Sequence, residues 1–344
     1  MRSPWLDGLR VTLSSYVVAR HLYQDRSIFY EQGWACVDTF FILSGFVLYS
    51  QFIRAFNNGI TTKIDFIRRR ILRIFPFLII AIFARFVFAC LEFINEIKTG
   101  DFGKSPAFSE NFPLDYVFSL LMVQWIYPAT IMLLVPLWSL SVEFYLNVVQ
   151  LLFGLRFTFL RILFLILLGA TFVICLAPAD MANLDWQNRN TWLVGFGRAC
   201  LGFSLGLALN GFLNRKSTYK YTPMILVVFI PTMTYLSWKY AEDYPLFYLD
   251  FISLMLIAVL SRLPASSGEL RVTKLLTVFG KLSYGVYLIH PMVISLALMY
   301  PIEPNIGIFL LVLSSSFGTA FIISRFVLPK VEYWVRFTLL KEVP

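Results

Sequence analysis

Long apolar runs, broken by short polar segments, dominate the chain from end to end. A helix needs roughly twenty mostly apolar residues to cross a bilayer. Ten segments meet or approach that length: residues 9–24, 34–52, 74–93, 137–155, 158–177, 192–213, 223–238, 246–263, 282–300 and 306–328. Residues 116–127 are apolar but too short to cross, so they read as a re-entrant or interfacial segment. No internal repeat or low-complexity stretch interrupts the pattern. It predicts an all-α polytopic membrane protein of about ten transmembrane helices, with residues 1–344 forming one membrane-embedded domain.

Composition agrees with that pattern. Hydrophobic residues make up 58% of the 344 positions and charged residues 14%, against about 25% charged in a soluble domain. The mean hydropathy is +0.73. The 35 Phe residues suit lipid-facing helices and interfacial belts. Cys36, Cys90, Cys175 and Cys200 are scattered without metal-ligand spacing, so they read as small buried hydrophobes and no metal is expected. The opening residues run straight into Asp7 and Arg10 with no small-residue cleavage site, so no cleaved signal peptide is expected.

The net charge of +9 is unevenly spread. One set of alternate loops holds Arg54, Lys63, Arg68, Arg69, Arg70 and Arg73, then Arg156, Arg161, Arg215, Lys216, Lys220, Arg262, Arg271, Lys274 and the basic C-terminus. The opposite set holds Arg26, Lys98, Lys104, Arg189 and Lys239. Basic loops face the cytoplasm, so both termini are expected there, against anionic lipid, with no nucleic-acid partner.

Several apolar segments carry polar residues at helical spacing. Arg10, Ser14 and His21 fall on nearly one face of the first, with Arg10 and His21 ~16 Å apart along the axis. Ionisable residues at that depth point to function. In the second segment, Asp38 lies close in depth to His21 and is suited to fix or charge its imidazole. Ser44-Gly45 in the same segment offers a small patch for close helix approach. Arg68, Arg69, Arg70 and Arg73 open the helix that leads into the third segment. The pairs Arg69/Arg73 and Arg70/Arg73 each share a face, and paired guanidinium forks suit phosphate oxygens. Ser139, Glu143, Asn147 and Gln150 form one polar stripe on the fourth segment, and Ser283, Tyr287 and His290 another on the ninth, where Pro291 should weaken the helix. Glu143 has no Lys or Arg within a turn, so its partner must come from another helix unless it is protonated. Both histidines of the chain are intramembrane in this reading.

These stretches resemble the motifs of the acyltransferase-3 family, integral-membrane O-acyltransferases that modify surface carbohydrates. They are Leu6-Asp7-Gly8-Leu9-Arg10 with His21, Val37-Asp38-Thr39-Phe40-Phe41-Ile42-Leu43-Ser44-Gly45-Phe46, Arg70-Ile71-Leu72-Arg73-Ile74-Phe75-Pro76, Trp138-Ser139-Leu140-Ser141-Val142-Glu143, and Ser283-Tyr284-Gly285-Val286-Tyr287-Leu288-Ile289-His290-Pro291. They recur in the family's order across nearly the whole chain. The resemblance implies a ten-helix membrane domain, a cytoplasmic acyl-CoA donor and an acceptor sugar at or beyond the outer face. Carried over by position, His21 matches the family's catalytic histidine and Arg10 its paired basic residue. Arg70 and Arg73, with Arg69 beside them, match the element associated with CoA, and Glu143 matches the acid of the Trp-Ser-Leu motif.

Val11 and Cys36 stand where the family commonly has glycine, and Phe144-Tyr145 with Asn147 replaces the usual second acid after Glu143. That last departure resembles exopolysaccharide-modifying members. The resulting expectation is a bacterial inner-membrane enzyme, with polysaccharide-assembly proteins as further partners. It moves an acyl group, expected to be acetyl, from acyl-CoA to a carbohydrate hydroxyl. His21 is base or nucleophile, Arg10, Asp38 and Glu143 assist it, and Ser139, Asn147, Tyr287 and His290 line the substrate site. A proton-coupled exporter using the same polar cavity is the alternative class.

Overall fold

The computed structural model describes residues 3–23, 29–48, 59, 62–100, 113–123, 133–152, 159–176, 189–213, 246–263, 270–298 and 303–339. Every regular element among the described residues is helical. In chain order these are α1 (Pro4–Tyr23), α2 (Phe29–Leu48), α3 (Lys63–Thr99), α4 (Leu114–Leu121), α5 (Leu137–Leu152), α6 (Phe159–Leu176), α7 (Arg189–Leu213), α8 (Leu246–Arg262), α9 (Leu270–Leu298), α10 (Ile306–Ile322) and α11 (Leu328–Trp334). Wider π turns, Ile323–Val327 and Val335–Leu339, flank α11. A helix lies over each apolar segment except residues 223–238, which fall outside the described residues.

Among the described residues, Lys63–Thr99, Arg271–Leu298 and Ile306–Thr338 are long and apolar enough to cross a bilayer. Ala35–Leu48, Leu137–Val149 and Ile252–Arg262 are shorter apolar helices. Large apolar side chains stand open on the protein surface, such as Phe83 at 65%, Leu311 at 61% and Phe326 at 64%. Water would not tolerate that surface and hydrocarbon would; this is a membrane protein.

Two helices run well beyond their apolar stretch, because the polar flanks can stay helical. α3 starts at Lys63 rather than near residue 74. Thr62 and Asp65 cap it reciprocally: Asp65 Oδ2 accepts from Thr62 N at 3.0 Å, and Thr62 Oγ1 accepts from Asp65 N at 3.1 Å. The arginine run therefore belongs to the first turns of one continuous 37-residue helix. α9 likewise begins at Leu270 and continues through Pro291 to Leu298. α4 has its amphipathic sides reversed: Leu114, Val117, Leu120 and Leu121 are exposed while Asp115 and Ser119 are buried. That pattern fits an element whose outer side meets lipid. It ends at Met122, which takes the left-handed conformation at φ 57°.

The chain divides into two compact units. The first comprises residues 1–66 and 142–281, and the second residues 67–141 and 282–344. In the first, α2 and α7 form the centre. α2 packs on α1, α7 and α8, while α7 packs on α2, α6 and α8. Glycines allow the α2–α7 approach. A Cβ on Gly206 would fall 1.9 Å from the Ile42 carbonyl oxygen, and one on Gly45 would fall 2.0 Å from that of Phe203. Gly45 is thus the small-residue contact that the Ser44-Gly45 patch suggests. In the second unit α3, α9 and α10 meet around Gly285, where a Cβ would lie 2.6 Å from the Phe77 ring and 3.0 Å from Ala320 Cβ. Tyr284 donates to the Ile74 carbonyl at 3.0 Å beside that contact.

A side chain at Gly206 must force α2 and α7 apart. Gly206→Ala is expected to cost about 1–3 kcal/mol by overpacking, read as a lower unfolding temperature of the detergent-solubilised protein. Gly318→Ala, where a Cβ meets nothing within 4 Å, is expected to leave that temperature unchanged.

Candidate functional site

The first unit carries His21, Arg10, Asp38, Glu143 and Asn147. α1 is unbroken, so its backbone keeps Arg10, Ser14 and His21 along one side. His21 is half-buried in the last turn, next to buried Arg20. Arg10 does not stand alone. Its Nη1 donates to Asp7 Oδ1 at 2.9 Å, and Asp7 is fully buried. Asp7 is seated by α9, where Gly280 leaves no room for a side chain: a Cβ there would lie 2.5 Å from Asp7 Cβ. The first motif therefore pairs its own acid and base within one turn, against a glycine.

Asp38 lies on α2, which packs on α1. Its carboxylate is held by a residue from α7. Arg198 Nε donates to Oδ1 at 3.0 Å and Nη2 to Oδ2 at 2.7 Å, with both side chains only 6% exposed. This is the fork-on-fork geometry that a carboxylate favours. The pair continues a single stripe on α7: Arg198, Gly202, Gly206 and Asn210 recur every fourth residue. Asn210 Nδ2 closes the far end by donating to the Phe46 carbonyl at 2.7 Å. One face of α7 thus clamps α2 at both ends through polar side chains and lets the backbones touch between them.

Glu143, on α5, accepts a hydrogen bond from Ser44 Oγ of α2 at 2.5 Å. A hydroxyl from another helix thus meets the Glu143 carboxyl. One turn on, Asn147 Nδ2 donates to the Glu143 carbonyl at 2.7 Å. α2 thereby presents Asp38 and Ser44 to two different helices of the same unit.

The second unit carries Arg69, Arg70, Arg73, Ser139, Tyr287 and His290. Arg69 and Arg73 are exposed and Arg70 is half-buried on α3. Ser139 and Tyr287 meet directly, with 2.7 Å between hydroxyl oxygens. Ser139 Oγ also donates to the Pro136 carbonyl at 3.1 Å. With that single proton committed, Tyr287 is the donor to Ser139. His290 is fully buried, and its Nδ1 lies 3.2 Å from the Val286 carbonyl. A carbonyl accepts only, so Nδ1 carries the proton and Nε2 the lone pair. The tautomer is set by the helix backbone one turn back. Gln150 lies on α5, but its side chain is outside the described ones.

Three participants are not among the site residues expected from the sequence. Arg198 sits in an apolar segment, where any charge is expensive, and that alone would single it out. Asp7 pairs with Arg10 at a spacing of three, a standard helical contact. Ser44 is visible only as a small residue beside Gly45; its role as donor to Glu143 depends on packing between α2 and α5.

A protein-family model described as an acyltransferase domain, acyltransferase-3, matches residues 3–325. No curated protein and no solved structure matches the chain.

Removing one member of the Asp38–Arg198 pair leaves the other charge buried and uncompensated. Arg198→Ala is expected to lower stability by about 3–5 kcal/mol, measured by unfolding of the detergent-solubilised protein. Arg198→Met combined with Asp38→Leu is expected to recover most of that loss, because two apolar groups replace two charges.

Proposed function

The chain belongs to the acyltransferase-3 family, and from that premise we propose that it moves an acyl group, acetyl in the first instance, from cytoplasmic acyl-CoA to a hydroxyl of a cell-surface or exported carbohydrate such as an exopolysaccharide. The family match runs through both compact units, and we read them as one membrane-embedded domain with ten spans and both termini in the cytoplasm. A bacterial inner membrane suits that arrangement.

The observation that carries the reading is a half-buried imidazole in the same unit as two carboxyl groups, each held by a hydrogen bond from another helix. Keeping carboxylates inside apolar helices is costly unless they are paired. In this reading His21 takes the proton of the acceptor hydroxyl, the oxygen attacks the thioester carbon, and the CoA thiol leaves with the proton. The same imidazole can instead take the acyl group as an acyl-imidazole and pass it on. Asp38 and Glu143 orient and balance the charge that forms on the ring. Arg10, tied to Asp7, lies toward the cytoplasmic end.

CoA is too charged to cross a bilayer. Arg69, Arg70 and Arg73 suit its phosphates by geometry and charge, and its flexible thiol arm carries the thioester inward. Ser139, Tyr287 and His290 supply hydroxyl and imidazole groups that suit a sugar. Polysaccharide-assembly proteins would supply the acceptor.

His21→Ala is expected to cut acetyl-CoA consumption in the presence of acceptor by about 10²–10⁴-fold, with an unchanged unfolding temperature; near wild-type turnover would refute the role. Arg70→Ala and Arg73→Ala are expected to raise KM for acetyl-CoA while leaving kcat nearly constant, as loss of ground-state phosphate contacts requires.

A further inference from the structure

Asn147 is 2% exposed, and among the described residues only half of its amide is used. Nδ2 donates to the Glu143 carbonyl. That carbonyl can be met only by the amide nitrogen, so the orientation of the group is fixed. Oδ1 then has no hydrogen-bond partner among the described residues. An unpaired carbonyl oxygen in an apolar interior costs free energy comparable to a lost hydrogen bond. A residue with an apolar side chain would avoid that cost. The neighbouring carboxyl of Glu143 is half-buried, so the same face of α5 is not sealed.

We infer that Asn147 Oδ1 accepts a hydrogen bond from an amide N–H on the pantetheine arm of the acyl-CoA donor. The inference rests on the acyl-CoA reading and its topology. There, α5 enters from the outer side, so Ser139 comes first, Glu143 one turn deeper, and Asn147 a further turn toward the cytoplasm. An acceptor sugar arriving from outside reaches Ser139 and Glu143 before Asn147. The donor arm, coming from the cytoplasmic side, reaches Asn147 before Glu143. Near its thioester end, that arm offers secondary amide N–H groups as its hydrogen-bond donors. An N–H meeting a fixed carbonyl oxygen, away from water, gives the arm a defined depth. The glutamate carbonyl that holds Asn147 Nδ2 belongs to the residue proposed to work beside the imidazole. Donor depth and catalytic carboxyl are therefore set by one turn of helix.

The test compares acetyl-CoA with an acetyl-CoA analogue whose pantetheine amides are replaced by esters, which keeps the carbonyls and removes the N–H groups. For the wild-type protein kcat/KM is expected to be roughly tenfold lower with the ester analogue. In Asn147→Leu the two donors are expected to be used equally, because the acceptor on the protein is gone. Equal use of both donors by the wild-type protein would overturn the inference without any variant having to fold. A full preference for the amide retained in Asn147→Leu would overturn it too. No turnover of acetyl-CoA by the wild-type protein under any acceptor would sink the acyltransfer reading itself, a different result from equal use.

Discussion

Charge buried among apolar helices has to be paired, and in the first unit the pairing of Asp38 with Arg198 is what the arrangement of α2 depends on. The two side chains meet with four polar atoms matched in pairs. They can do so only because α2 and α7 lie close, and they lie close because Gly45, Gly202 and Gly206 carry no side chain between them. Hydrophobic burial cannot supply this specificity in a bilayer, where lipid tails are as apolar as the helices. Close backbone packing and interhelical hydrogen bonds take over. Asn210 repeats the logic at the far end of the same stripe.

α2 matters because of what else it carries. Ser44, on the same helix as Asp38, holds Glu143 of α5. A shift of α2 would therefore disturb Asp38 and Glu143 together. α1 packs on α2 and is also held against α9, where Gly8 meets Leu276 and Asp7 meets Gly280. The imidazole of His21 thus sits on one fixed helix and the two carboxyl groups are registered by another. In the acyltransfer reading this division has a purpose: the base and its acids must keep their spacing while a substrate arm passes. Polar groups of the second unit are organised by shorter links, with Tyr287 on Ser139 and His290 on its own helix backbone.

Much of the helical layout is legible in the hydropathy pattern alone, because each apolar run in the described residues is covered by a helix. Helix ends are less legible. α3 gains its first turns from the Thr62–Asp65 cap, a local polar signal that hydropathy averages away. Motif spacing brings out His21, Glu143 and the arginines, since each lies at helical spacing from other polar residues. Arg198 and Ser44 are harder to read. Their function is to bond a residue more than ninety positions away in sequence, and such a partnership exists only once α2 has packed on α7 and α5. The glycine stripe of α7 is written plainly in the chain, but the helix it faces is not.

The proposed reaction joins a donor too charged to enter the bilayer to an acceptor on the other side. Its most direct test is the sidedness of acyl transfer in sealed vesicles holding the purified protein in one orientation. Labelled acetyl-CoA supplied on the face that bears Arg69, Arg70 and Arg73 should be consumed, and the label should appear on carbohydrate supplied only on the opposite face. Consumption of acetyl-CoA from the acceptor's face, or label confined to carbohydrate on the donor's own face, would contradict it.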